Sequence, residues 1–218
     1  MTGLESWSRT FIVAVMAVLV VIFCVTAAGH FSYTTDDSYI YFQYARSLAQ
    51  GNGPCFNAGE PSYGFTSPLW LLILSAGGAA GADIPLLAKV LDLLFASLSI
   101  VLLFFVALEL TRDVAVSFCI SLAFSVSAWF LRWAGSGLET SLGVFLLLAF
   151  FLYLLRNDYA VSAGLLGLLA LVRPEASLLP VLLLIHLRVN SLDARHALRE
   201  GTRIVSIWLT IVLPWTVY

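Results

Sequence analysis

The residues best suited to chemistry begin at a pair of aspartates. Asp36 and Asp37 open the run Asp36-Asp37-Ser38-Tyr39-Ile40-Tyr41-Phe42-Gln43-Tyr44-Ala45-Arg46-Ser47-Leu48-Ala49. Ile40, Tyr41, Tyr44, Ala45 and Leu48 recur at helical spacing, which predicts a short interfacial helix with one apolar face. Its tyrosines suit the headgroup level, with an apolar ring and a wet hydroxyl. Gly51 and Gly53 close the helix and open a loop. Negative charge is stabilised at a helix N-terminus by the dipole and the free amides, and an ionised carboxylate can act as a general base. An N-cap role accounts for one aspartate more readily than for two.

Other charged residues cluster at the ends of apolar runs. Arg46 and Glu60 follow in the same loop, Lys89 and Asp92 begin a long apolar run, and Arg132 and Glu139 flank a turn. Arg173 and Glu175 flank Pro174 between two further runs. An arginine there can grip an anionic headgroup or phosphate, and it can equally snorkel from a hairpin turn. Gly137-Leu138-Glu139-Thr140 reads either as a cap for the next helix or as a polar contact to a substrate. His30, His186 and His196 have no metal-like spacing and read as structural.

These residues are embedded in a very apolar chain. Of 218 residues, 61% are hydrophobic and 11% charged, with mean hydropathy +0.96. A soluble domain has about 25% charged residues, so a lipid-exposed, all-α helix bundle is the expected class. The net charge of -2 argues against a nucleic-acid partner. Cys24, Cys55 and Cys119 do not suggest a disulfide framework.

Apolar runs predict seven membrane spans, at 10–29, 85–110, 114–131, 141–155, 159–172, 176–188 and 204–218, within a single membrane domain 1–218. The first exceeds a secretory apolar region, typically about 7–15 residues, and reads as an uncleaved helix. Segment 68–81 decides the topology. If it does not cross, Arg9, Arg112, Arg156, Arg188, Arg195, Arg199 and Arg203 share the side of the N-terminus. The excess of Lys and Arg on cytoplasmic loops then places the N-terminus in the cytoplasm of a multi-pass plasma-membrane protein. Residues 30–84 become a long external loop with short interfacial helices, 68–81 a juxtamembrane or re-entrant helix, and 189–203 a basic cytoplasmic loop. Ser67 before Pro68 reads as an N-cap with proline in the first turn.

Taken together, Asp36-Asp37-Ser38-Tyr39-Ile40, Tyr44-Ala45-Arg46, Gly51-Asn52-Gly53, Phe56-Asn57, Gly59-Glu60 and Tyr63-Gly64-Phe65-Thr66-Ser67-Pro68-Leu69-Trp70 resemble the first external loop of polyprenyl-phosphate-dependent GT-C glycosyltransferases. The likeness is greatest to the cell-wall arabinofuranosyltransferases and related membrane transferases. Gly137-Leu138-Glu139-Thr140 and Leu171-Val172-Arg173-Pro174-Glu175 are similar to later motifs of that family. The resemblance implies a seven-helix module with an external active site. Such a module moves a sugar, arabinofuranose in the most similar members, from a polyprenyl-phosphate donor in the bilayer to a cell-envelope glycan or lipid acceptor. The transfer it implies is inverting. Asp36 takes the role of the essential acidic residue, with Asp37 as neighbour or alternate, and Lys89, Arg132 and Arg173 are candidates to hold the leaving phosphate. Tyr39, Arg46, Trp70, Glu139 and Glu175 complete the implied substrate contacts. No cofactor is required by this chemistry, although some relatives use a divalent metal. Family members are usually longer, and a chain ending at Leu213-Pro214-Trp215-Thr216-Val217-Tyr218 reads as a minimal module, a fragment or an inactive relative.

Two other classes compete. A non-catalytic protein that binds or flips the lipid carrier would need the cations but not the paired aspartates. A transport or assembly subunit would favour polar, broken helices near the bilayer midplane. The ionisable residues here gather at span ends, with Asp92 and Glu109 as exceptions that depend on where the second span starts.

Overall fold

The computed structural model describes residues 9–57, 59–190 and 194–216, and over these the chain is almost entirely helical. The order is α1 (Arg9–Ala28), α2 (Asp36–Ala49), a two-strand hairpin of β1 (Cys55–Asn57) and β2 (Glu60–Pro61), then α3 (Pro68–Ala79) and α4 (Ile84–Thr111). There follow α5 (Val114–Ser125), α6 (Ala128–Trp133), α7 (Thr140–Leu155), α8 (Tyr159–Ala170), a 3-10 turn (Pro174–Leu178), α9 (Leu179–Asn190) and α10 (Ala194–Thr216).

Among the described residues, two helices, α1 and α4, are long and apolar enough to cross a membrane by length and composition. α1 buries one stripe, Met16, Leu19, Phe23 and Ala27, while Val13, Val21 and Val25 on its other faces are exposed. A helix that is apolar all round but buried along one stripe is matched to a lipid surround. α4 has 28 residues, or about 42 Å at 1.5 Å per residue. Asp83 caps its start by accepting from the Leu86 amide at 2.8 Å, and Arg112, at φ 57, turns the chain out of the helix at its end.

Several predicted segments differ in detail. The run 114–131 is broken: α5 stops at Ser125 and α6 starts after Ser127, whose backbone is extended. Ser125 Oγ donates to the Leu122 carbonyl at 2.8 Å, an example of a serine competing for helical acceptors. α5 and α8 have 12 residues each, about 18 Å, short of a hydrocarbon core of about 30 Å. The basic segment read as a loop over 189–203 is helical from Ala194, so α10 runs from polar to apolar sequence without interruption. Residues 191–193 of that loop, and 217–218 of the last predicted span, lie outside the described residues, as does the His196 side chain. The run 176–188 begins as a 3-10 turn and becomes α9 at Leu179. Cys24, Cys55 and Cys119 are all unpaired.

Contacts sort the connections into two ends. Lys89, in the second turn of α4, donates to the carbonyls of Phe31 and Tyr33 just after α1. Ser38 at the start of α2 reaches Ser136 before α7, the Leu69 amide reaches the Leu171 carbonyl after α8, and Phe65 meets Trp215 near the end of α10. One end of the bundle therefore collects 29–57, 59–83, 134–139, 171–178 and the last turn of α10. At the opposite end Glu109 joins Arg112 at 3.0 Å and Arg156 at 3.2 Å. α3 keeps both its ends at the first of these. It starts beside Leu171, and the glycines of its last turn pack against Leu87, Ile84 and Ala49.

The larger core joins Trp70, Leu71 and Leu74 of α3 to the buried faces of α2, α7, α8 and α9. A second core joins α1 to α4 and α6, with Phe23, Ile100, Phe104 and Phe130 at its centre. Gly167 lets α8 close on α10, since a Cβ there would lie 2.9 Å from Ile211.

Candidate functional site

α2 forms the floor of the crowded end. Thr35 occupies its N-cap position, so Asp36 and Asp37 are its first two helical residues and neither serves as the cap. Both are exposed. The buried face is Ser38, Tyr41, Phe42, Tyr44, Ala45 and Ser47, with Ile40 and Leu48 half-buried beside it. Tyr41 and Tyr44 do not present wet hydroxyls, because the chain after β2 folds back over them. Tyr44 Oη accepts from the Gly64 amide at 2.9 Å and meets Ser62 Oγ at 2.8 Å. Tyr41 Oη accepts from the amides of Ser67 at 2.9 Å and Thr66 at 3.2 Å.

This resolves how α3 starts. Pro68 is in its first turn and Ser67 holds the N-cap position, but the Ser67 side chain makes no capping bond. The first-turn amide of Leu69 donates to the Leu171 carbonyl at 3.1 Å instead, and the Tyr41 hydroxyl holds the Thr66 and Ser67 amides of the segment leading into the helix. Burial raises the Tyr41 hydroxyl above its ordinary pKa, the Glu139 charge adds to this, and its bonds to Thr66 and Ser67 act in the opposite direction.

A cleft of about 490 Å³ opens above α2. Its polar wall consists of Asp37, Thr66, Glu139, Thr140 and Arg173, and Ile40, Phe65, Trp133 and Leu138 supply apolar surface. Three separated segments thus meet on one cavity: the start of α2 through Asp37, the Gly137-Leu138-Glu139-Thr140 turn through its last three residues, and the Arg173-Pro174-Glu175 turn through Arg173. Arg173 Nη2 lies 3.3 Å from Glu139 Oε1 and donates to Thr140 Oγ1 at 3.3 Å. The Glu139 side chain is 6% exposed and that of Arg173 40%, so the carboxylate is interior and the guanidinium reaches solvent. Among the described residues, no other residue gives the buried Glu139 Oε2 a hydrogen bond. Burial raises the Glu139 carboxyl above its ordinary pKa; its own amide and Arg173 pull back, while Asp37 and Glu175 push further up.

The remaining sequence candidates are placed elsewhere. Asp36 does not line the cleft. Tyr39 is exposed and packs edge-on against Phe42. Arg46 sits in the last turn of α2 and donates to Gln43 at 3.4 Å. Trp70 is fully buried and donates from Nε1 to the Gly137 carbonyl at 3.2 Å, so it holds the Glu139 turn from below. Lys89 is engaged by the Phe31 and Tyr33 carbonyls and lies over the Phe31 ring. Arg132 stacks on Tyr33, 4.6 Å from its ring centre, and donates to its hydroxyl at 3.0 Å. Glu175 is exposed at the rim, where its charge is felt by Glu139. Two of the three cations expected at a phosphate therefore hold the 29–35 loop, leaving Arg173 on the cleft.

Sequence reasoning did not pick out Thr66, Phe65 or Trp133 as wall residues, nor Ser38, Ser136 and Asp92 as supports. Ser38, Phe65 and Thr66 lay within the loop motif without being singled out, Asp92 stood out as a carboxylate inside an apolar run, and Trp133 and Ser136 carried no signal.

The cleft joins a solvent-facing carboxylate to a buried carboxylate paired with a partly exposed guanidinium. Such a set can accept a proton, bind hydroxyl groups and balance an anionic group at the rim. No protein-family model matches the chain, and no curated protein or solved structure does either.

Proposed function

We propose that this chain is a membrane glycosyltransferase that takes a sugar from a polyprenyl-phosphate donor on the external face of the bilayer. The observation that carries this reading is the convergence of Asp37, Glu139 and Arg173 on one cleft, because these are the three segments of the GT-C resemblance. The seven-span arrangement belongs to the proposal. Arg112 and Arg156 lie at the end opposite the cleft with the start of α10 and its Arg195, Arg199 and Arg203. The charge bias of cytoplasmic loops then faces the cleft outward.

In the proposed step the acceptor hydroxyl attacks the anomeric carbon as Asp37 takes its proton. The bond from that carbon to the phosphate oxygen breaks, and its electron pair stays on the phosphate beside Arg173. Attack opposite the leaving group inverts the anomeric centre. Asp37 replaces Asp36 in the base role because Asp37 lines the cleft. Glu139, buried behind the guanidinium, holds Arg173 at the cleft through Oε1.

The test uses purified full chain in nanodiscs with radiolabelled polyprenyl-phosphate sugars, decaprenyl-phosphoarabinose first, and an oligosaccharide acceptor. Label is expected to move to the acceptor from at least one donor. Donor binding with no transfer across the panel would overturn the proposal and leave a lipid-carrier binding protein.

A further inference from the structure

Asp92 lies eight residues into α4, roughly 12 Å from its start, and is 0% exposed. It forms no ion pair among the described residues. A carboxylate in such a place is costly, and in an apolar bundle it is kept for a task. Its Oδ2 accepts from Ser136 Oγ at 3.3 Å and from the Gly137 amide at 3.2 Å. Ser136 Oγ in turn accepts from the Leu138 amide at 3.3 Å. The same turn is held from two other sides, by Ser38 Oγ donating to the Ser136 carbonyl at 2.8 Å and by Trp70 donating to the Gly137 carbonyl. Gly137 itself has φ 86, and a Cβ on it would lie 2.9 Å from the Phe42 ring.

Both cleft carboxylates adjoin this network in sequence. Asp37 precedes Ser38, and Glu139 follows Leu138. We infer that Asp92 is a positioning residue, which fixes the Ser136-Gly137-Leu138 turn and so sets where Glu139 stands opposite Asp37. The inference rests on the transferase reading for its catalytic consequence. Asp92 does not line the cleft and acts through the turn. An asparagine at 92 keeps one oxygen to accept from the Gly137 amide and the Ser136 hydroxyl. An alanine leaves both donors buried and unpaired.

The experiment compares wild type with Asp92→Asn, Asp92→Ala and Ser136→Ala, each as full chain in nanodiscs. Peptide-level hydrogen exchange over 134–140 and steady-state sugar transfer are read together. Asp92→Ala is expected to raise exchange there and to lower kcat by about tenfold to a hundredfold, with donor KM within about threefold, as a misplaced catalytic group does. Ser136→Ala shifts both readouts in the same direction and less. Asp92→Asn keeps the protection and kcat within about threefold of wild type. Unchanged exchange in Asp92→Ala would overturn the inference, as would an Asp92→Asn variant damaged as badly as Asp92→Ala. If wild type transfers no sugar, the transferase reading fails, while the exchange data still decide whether Asp92 holds the turn.

Discussion

Removing the Arg173 cation exposes the electrostatics of the cleft in a way that depends on pH. Arg173→Gln deletes the charge 3.3 Å from Glu139 Oε1. Breaking a buried pair from one side costs about 3–5 kcal/mol when both groups are interior. Here the Arg173 side chain is 40% exposed, and an exposed partner is worth about 0–1 kcal/mol. The expected penalty at neutral pH lies between, at about 1–2 kcal/mol. Burial already holds the Glu139 carboxyl above its ordinary value of 4.5, and loss of the cation raises it further. A carboxyl raised by folding favours the protonated native state, so its contribution is present at acid pH and lost as pH rises through the folded pKa. The Arg173→Gln deficit is therefore small where Glu139 is protonated in both proteins, and it grows as pH rises from the ordinary carboxylate range. Thermal unfolding of the full chain in detergent at about pH 4 and about pH 8 reads this directly. For a chain of this size each kcal/mol moves Tm by about 2–4 °C, so the deficit at the higher pH is about 2–8 °C. Glu139→Gln serves as the control: adding Arg173→Gln to it should cost little more at either pH. An equal Arg173→Gln deficit at both values, or a full deficit retained in the double variant, would refute the electrostatic account.

Two further substitutions test the supports of the cleft. Gly137→Ala places a side chain at φ 86 and within 2.9 Å of Phe42, so it should lower stability by about 1–3 kcal/mol. Adding Phe42→Leu should restore only part of the loss, because the backbone strain remains; the Tm of the single and double variants checks this. Tyr41→Phe removes the acceptor of the Thr66 and Ser67 amides and should cost about 1–3 kcal/mol. Hydrogen exchange at Thr66 and Ser67 should rise with it, and unchanged exchange there would show that the hydroxyl does not hold the segment leading into α3.

Much of the architecture was legible because it follows from periodicity. The 36–49 run gave a helix with Tyr41, Tyr44 and Ala45 inside, and the apolar runs at 10–29 and 85–110 gave α1 and α4. The break at Val126 was hidden, since Ser125 and Ser127 interrupt an apolar run without glycine or proline. The start of α10 was hidden too, because Arg195, Arg199 and Arg203 read as loop charge while occupying helical spacing. At the site, the types of Asp37, Glu139 and Arg173 marked them as reactive. Which of two adjacent aspartates faces the cleft depends on the rotation of α2, which tertiary packing fixes. Lys89 and Arg132 illustrate the same limit: each sits beside the right segment, but carbonyls and an aromatic ring take up its charge.

The central claim is tested most directly by sugar transfer measured side by side for Asp37→Asn and Asp36→Asn in nanodiscs, with donor binding followed in parallel. A general base contributes about 10²–10⁴ in rate. Asp37→Asn should therefore fall by at least about a hundredfold with donor binding intact, while Asp36→Asn stays close to wild type. Full activity in Asp37→Asn, or loss confined to Asp36→Asn, would contradict the account.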